Sequence, residues 1–312
     1  MIYSIHKINN MNNSRRDFIK TSSLVVAGTM AFSNEVFARK KEKQIVGIQL
    51  YSVRDDMKKD PLGTLKLLAA MGYTDVEHAN YVDRKFYGYS ATEFRKILDD
   101  LSLKMPSGHT VMGPQHWDKD KNDFSDSWKQ TVEDAAILGQ HYVISPWLDQ
   151  SLRKTYDDIL KYMEVFNKSG ELCKRSGMKF GYHNHDFEFS ENLNGIRVYD
   201  IILTNTDPNL VIQQLDTGNL YNGGATAADI IKKYPGRFES LHVKDEIKSD
   251  KGNEKYESTI LGKGITNLKE NLRFIKKAGG AKYLIIEQEA YQGITPLESA
   301  KQDLAIMKSW GY

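Results

Sequence analysis

The chain has 312 residues, 40% of them hydrophobic and 27% charged, with 23 Gly, 7 Pro and a formal charge of +2. This composition excludes collagen-like, disordered and many-pass membrane chains, and the interspersed acids and bases leave no polybasic face for nucleic acid or a lipid surface. It suits one large core and a small-molecule partner. The single cysteine, Cys173, cannot close an intramolecular disulfide, so packing must supply the stability.

The first element in chain order is a targeting signal. From Ser14 to Lys20 the segment "SRRDFIK" resembles a bacterial twin-arginine export signal, and a short apolar run ending near "VFARK" follows it. That run is too short to span a bilayer. Residues 1–38 are therefore expected to be a removable signal peptide and residues 39–312 a periplasmic domain without stable membrane association.

From Gln44 onward, short β-branched runs alternate with amphipathic stretches. The runs "IVGIQLYS", "TDVEHAN", "KMPSGHTVM", "HYVISPWL", "MKFGYHNHDFEF", "LVIQQLDTGNL", "FESLHVKD" and "KYLIIEQEAY" read as strands. Segments such as "PLGTLKLLAAMG", "SATEFRKILDDLSL" and "SWKQTVEDAAILG" read as helices, several of them closed by a glycine suited to a left-handed cap. Strands that alternate with helices pair in parallel, and eight such units predict a single (β/α)8 barrel. A doubly wound dinucleotide fold would need a glycine-rich turn after the first strand, where "LYSVRDD" stands instead. The polar stretch Ser249 to Gly264 is expected to form a long loop over the barrel mouth.

A parallel barrel gathers its chemistry at the carboxyl ends of its strands. Glu77, His109, His183, His185, Asp216, His242, Lys244, Glu287 and Glu289 all fall near such ends, whereas His141 opens its strand and belongs to the opposite face. Residues two apart on a strand share a face, so His183 and His185 are expected to point together, as are Glu287 and Glu289. Acids and imidazoles converging on one mouth would repel or stay unsatisfied unless a cation sat among them. An oxygen and imidazole donor set without thiolates suits manganese, cobalt, magnesium or zinc. Asp216 could instead cap the turn that follows it, and "HVKD" could be an ion-paired strand end. Tyr51, Trp117, Trp147 and Tyr291 would supply an aromatic mouth.

Taken in order, "LYSVRD", "GYHNHDFEF", "LDTGN", "LHVKD" and "IIEQE" resemble the xylose-isomerase-like barrel superfamily, and within it the bacterial sugar phosphate isomerases/epimerases, over residues 44–312. The resemblance implies one divalent metal held by Asp216, His242 and Glu287. Strand five departs from the ketose 3-epimerase pattern, with the histidine pair where a glutamate would stand, as in inosose-dehydratase-like members. His185 is assigned as the fourth ligand and His183 as an acid/base, an order open to reversal. The three-zinc nuclease branch is disfavoured, because Asn219 and "KDE" replace its further ligands.

The resemblance implies metal-assisted enediolate chemistry on a keto sugar. His183, Glu77 and Glu287 are the candidates for proton transfer, and Arg54, His109, Lys244 and Tyr51 for substrate binding. Export argues for an unphosphorylated substrate. The expected activity is an isomerase or epimerase, with a 3-keto-glycoside lyase or dehydratase and a non-catalytic sugar-binding barrel as alternatives. No nucleic-acid partner is expected, and homo-oligomerisation stays open.

Overall fold

The computed structural model describes residues 44–250, 252, 254–278 and 280–312. The expected signal segment, residues 1–38, lies outside the described residues. Eight parallel strands close into a barrel in chain order: β1 (Ile45–Gln49), β2 (Asp75–His78), β3 (Lys104–His109), β4 (Tyr142–Ser145), β5 (Lys179–His183), β6 (Val211–Asp216), β7 (Ser240–Val243) and β8 (Tyr283–Ile286). Register runs unbroken where β8 meets β1, with Ile45 opposite Tyr283 and Ile48 opposite Ile286. The single (β/α)8 barrel expected from the alternation is the fold observed.

The outer ring consists of α1 (Pro61–Met71), α2 (Ala91–Asp100), α3 (Asp126–Leu138), α4 (Tyr156–Arg175), α5 (Val198–Asn205), α6 (Ala227–Lys233), α7 (Leu268–Ala278) and α8 (Pro296–Ser309). Local chemistry sets where several of them begin. The Asp60 side chain accepts from Gly63 N ahead of Pro61 in α1, and Ser90 and Glu93 form a reciprocal capping box at α2. Both α1 and α3 stop at a left-handed glycine, Gly72 at φ 98° and Gly139 at φ 79°. The main apolar core lies between this ring and the outward faces of the strands, with Leu65, Phe94, Trp128, Phe166, Cys173 and Leu284 among its buried members.

Inside the barrel the character changes with height. Tyr142, Ile144, Ile212, Tyr283 and Ile285 form a separate buried apolar cluster in the lower half. A Cβ on Gly181 would lie 2.9 Å from Ile144 Cγ1 and 3.2 Å from Ile212 Cγ1, so glycine is what lets these side chains fill the centre. His141 stays at this lower end, its ring 6.2 Å from that of Tyr283. Above the plug the interior becomes polar, with Gln49, Glu77, Ser107, Gln214, Ser240 and His242 all buried.

One expectation needs correction here. The stretch from Ser249 to Gly264 is not loop throughout: its residues Tyr256–Thr259 form a strand that pairs antiparallel with Asp245–Lys248 just before it. Ser258 Oγ, on the second strand, accepts hydrogen bonds from Glu289 N at 2.7 Å and Ala290 N at 3.0 Å, which fastens this hairpin to the segment after β8. Too few apolar residues alternate in "EIKS" and "YEST" for their pairing to show in sequence.

Candidate metal centre

Four side chains from adjacent strand ends converge on one point. His183, Asp216, His242 and Glu287 each offer a donor atom, and these atoms all lie within 4.8 Å of one another. His242 Nδ1 is 3.1 Å from Glu287 Oε2 and 3.8 Å from Asp216 Oδ2, and His183 Nε2 is 4.0 Å from the same Asp216 oxygen. All four residues are buried. Two of them, His183 and Glu287, line the floor of a cavity of about 780 Å3 whose walls include Tyr51, His109, Trp147, His185, Lys244 and Glu289, while Asp216 and His242 are buried outside its lining.

Asp216 reconciles its two sequence readings by dividing its oxygens. Oδ1 caps the helical turn Thr217–Asn222, accepting from Asn219 N at 2.7 Å. Oδ2 is buried without a hydrogen-bond partner. An unpartnered buried carboxylate oxygen costs free energy, and burial, only partly offset by Lys244, pushes the Asp216 carboxyl up to about 6. A cation placed among these donors would relieve that cost. The set of two imidazoles and two carboxylates fits a divalent ion of the zinc, manganese or cobalt kind.

Glu77 lies beneath the floor and does not line the cavity. Its carboxylate accepts from Gln49 Nε2 at 2.8 Å, Gln214 Nε2 at 2.8 Å, His242 Nε2 at 2.6 Å and the Ser107 hydroxyl. Burial pushes its acidity the other way, but His109, His242 and Ser107 together hold the carboxyl down at about 2. Its acceptor capacity is taken up by these donors, and it stands outside the lining of the cavity into which a base was expected to face. It orients His242 instead: a proton held on Nε2 leaves Nδ1 facing Asp216 and Glu287, the carboxylate–histidine arrangement typical of metal ligands. Without an ion, burial is outweighed by the carboxylates of Glu287 and Glu77, which raise His242 to about 10.

The two histidines of "HNH" part company. β5 ends at His183, so strand alternation does not carry on to His185. The break falls at Asn184, whose Oδ1 accepts from Asp216 N at 3.0 Å and whose Nδ2 donates to Asp216 O at 3.4 Å. The chain then turns into the short helix Phe187–Ser190, and His185 lands on the cavity wall with its ring 5.0 Å from that of Trp147. The geometry therefore groups His183, not His185, with Asp216, His242 and Glu287, the reverse of the order assigned first. Nδ1 of His185 is buried and unpartnered, and burial lowers the imidazole to about 4. Glu188 braces this turn: it accepts from His185 N at 2.8 Å and from the Tyr182 hydroxyl.

The expected substrate contacts divide as well. Tyr51, His109 and Lys244 do line the cavity. Lys244 Nζ lies 2.8 Å from Glu289 Oε2, 3.5 Å from Glu287 Oε2 and 3.9 Å from Asp216 Oδ2, so it is also the ion-paired strand end. Arg54 is turned elsewhere, donating to Tyr51 O, the Tyr291 hydroxyl and Glu289 O and thereby bolting the start of the chain's first crossover to the loop after β8. Trp117 packs on Phe124 and under Lys168, away from the cavity. Gln214, Ser107 and Asn184 escaped the sequence reading. Gln214 had a signal, since it stands two residues before Asp216 on the same strand face.

A closed parallel barrel with its polar cluster at the carboxyl strand ends defines the class of (β/α)8 barrels, whose sites gather at that face. Residues 65–310 match the model described as xylose isomerase-like TIM barrel, and the chain belongs to that family. A curated relative, inosose dehydratase of Clostridium perfringens, is 33% identical over 150 residues, which is 44% of this chain and 50% of that one. The chain thus spans about half the length of curated relatives that it matches. Among solved structures, a sugar phosphate isomerase/epimerase from Parabacteroides distasonis superposes with a TM-score of 0.72 at 27% identity, covering 88% of this chain and 96% of that one. The IOLI protein with a binding zinc atom shares the fold at a TM-score of 0.67 and 15% identity, covering 86% and 98%.

Proposed function

We propose that the chain is a divalent-metal-dependent enzyme that moves a proton at the carbon next to a carbonyl in an unphosphorylated keto sugar or sugar derivative, yielding an isomer or epimer. The observation that carries this reading is the buried Asp216 Oδ2, without a hydrogen-bond partner, among the donors of His183, His242 and Glu287, two of which, His183 and Glu287, line a cavity. The zinc atom named for the IOLI structure supports metal use. His183, Asp216, His242 and Glu287 would hold the ion, which when bound supplies Lewis-acid polarisation of a carbonyl.

The protein's own groups do the rest. Glu77 keeps the His242 ring in place from below, and Lys244 sits where it can donate to a substrate oxygen while neutralising Glu289. His185, which lines the cavity and is uncharged at neutral pH because burial lowers its imidazole to about 4, is the acceptor for the substrate proton. Trp147, 39% exposed and packed edge-on to His185, offers a flat face to a sugar ring. An unphosphorylated substrate is favoured because the charges of the cavity's cationic side chains are already balanced: Arg84 is bidentate to Asp134 at 2.7 and 2.9 Å, and Lys244, though it keeps a donor for a neutral substrate oxygen, is neutralised by Glu289. Export through the segment resembling a twin-arginine signal would suit the same substrate class.

Dehydration is the second reading, and the relatives named inosose dehydratase favour it. The same proton abstraction becomes elimination if a β-hydroxyl or a glycosidic oxygen departs. Incubating the metal-loaded protein with keto sugars, keto-cyclitols and 3-keto-glycosides in deuterated water separates the outcomes. Deuterium in recovered sugar supports the isomerase, loss of water or aglycone supports the lyase, and bound but unlabelled, unchanged ligand rejects both.

A further inference from the structure

We propose that Gln214 is a positioning residue that fixes the tautomers of two histidines, holding the proton of His109 on Nε2 and that of His183 on Nδ1. This rests on the metal-centre reading only for its consequence; the tautomers themselves follow from hydrogen bonding. Glu77 is a carboxylate ringed by donors, so the Gln214 atom 2.8 Å from its Oε2 must be the amide nitrogen, and that nitrogen also reaches Ser240 Oγ at 3.2 Å. The amide orientation is thereby settled, and Gln214 Oε1 faces the imidazoles. It lies 2.7 Å from His109 Nε2 and 3.1 Å from His183 Nδ1. A carbonyl oxygen only accepts, so each of those ring nitrogens must bear the proton. His109 Nε2 also lies 3.2 Å from Glu77 Oε1, a second acceptor on the same nitrogen.

The consequence concerns the other nitrogen of each ring. His183 is left with its lone pair on Nε2, the atom that belongs to the four-donor cluster and approaches Asp216 Oδ2. His109 is left with its lone pair on Nδ1, on a ring that lines the cavity. A neutral imidazole can bind a cation or take a proton only through its bare nitrogen, so one buried amide readies both rings at once. Gln214 is fully buried and its amide is committed on both sides, which gives it no alternative arrangement.

The test is the ¹⁵N spectrum of full-length protein labelled at histidine, stripped of metal with a chelator and assigned with His109→Gln and His183→Gln. Long-range proton–nitrogen correlations report directly which ring nitrogen carries the proton. The expected result is Nδ1–H for His183 and Nε2–H for His109. In Gln214→Met, which matches the volume but cannot accept, the His183 preference should be lost while Glu77 Oε1 still holds the His109 proton on Nε2, and zinc affinity, read by competition with a chromophoric chelator, should fall tenfold or more. A wild-type spectrum with the His183 proton on Nε2 overturns the proposal without any variant having to fold, as does an unchanged His183 tautomer in a folded Gln214→Met protein. If zinc does not bind but the tautomers are as stated, the metal-centre reading fails and this one stands.

Discussion

His242 Nε2 meets Glu77 Oε1 at 2.6 Å inside the barrel, and this contact decides which nitrogen His242 shows to the cavity floor. Glu77→Gln keeps the shape but removes the charge, and its amide can turn an N–H toward His242. Zinc affinity, titrated against a chelator, should drop by about 10- to 100-fold, the usual cost of losing an outer partner of a metal-binding histidine. Unchanged affinity would show that Glu77 does not orient the ring.

The two histidines of "HNH" should respond differently to truncation. His183→Ala should abolish stoichiometric uptake of zinc or manganese, measured by elemental analysis after dialysis, whereas His185→Ala should retain the ion and lose turnover. The opposite pattern would restore the order first inferred from sequence.

Asp216→Asn preserves an acceptor for the Asn219 cap while removing the carboxylate charge. The variant should fold, as judged by circular dichroism, and bind the ion at least 100-fold more weakly than wild type, about 3 kcal/mol. Full metal content in this variant would remove the central support of the functional reading.

Stability should fall as the solution becomes alkaline. Burial pushes Glu188 up to about 8, Glu246 up to about 8 and Asp303 up to about 7, all above the ordinary glutamate and aspartate range. An acid whose folded pKa is raised adds nothing unfavourable below its unfolded pKa, and it destabilises progressively as pH climbs through the folded value. Below about pH 6.5 the histidines that burial keeps neutral, His78 lowered to about 3 and His185 to about 4 among them, act in the opposite direction, so urea midpoints should decline from about pH 7 to about pH 8 and then level off with respect to these groups. In Glu188→Gln, which removes one of the three ionisations, the decline should be shallower; an identical slope would contradict a buried neutral carboxyl there.

Cys173 is enclosed in α4, and burial pushes its thiol up to about 12. Ellman's reagent should find no reactive thiol in the native protein and one per chain in denaturant. Rapid native labelling would mean that α4 opens far more readily than its packing implies.

Most of the architecture could be read from the chain because it rests on short-range rules. Alternation of β-branched runs with amphipathic stretches forces parallel pairing, and caps such as Ser90 with Glu93 mark helix starts. Asp216, His242 and Glu287 were legible for a similar reason, since each stands within one residue of the end of a run. His185 was misplaced because a strand's last residue depends on contacts from elsewhere, here the exchange between Asn184 and the backbone of Asp216. Glu77 was read as a base because nothing local reveals that Gln49, Ser107, Gln214 and His242 converge on it from four other strands. Arg54 was read as a substrate clamp because its partners, Glu289 and Tyr291, lie more than 230 positions away.

The isoleucine and tyrosine plug around Gly181 makes the barrel a cup rather than a tube. Among the described residues, the cluster of donors stands above that stopper with the Glu77 and Gln214 layer between them, so anything seated there must come and go through the rim. An ion would have to load before a sugar covers it, and a bound sugar would in turn imprison the ion. Extraction by a chelator should accordingly slow when the cup is filled, which ties the lifetime of one occupant to the presence of the other.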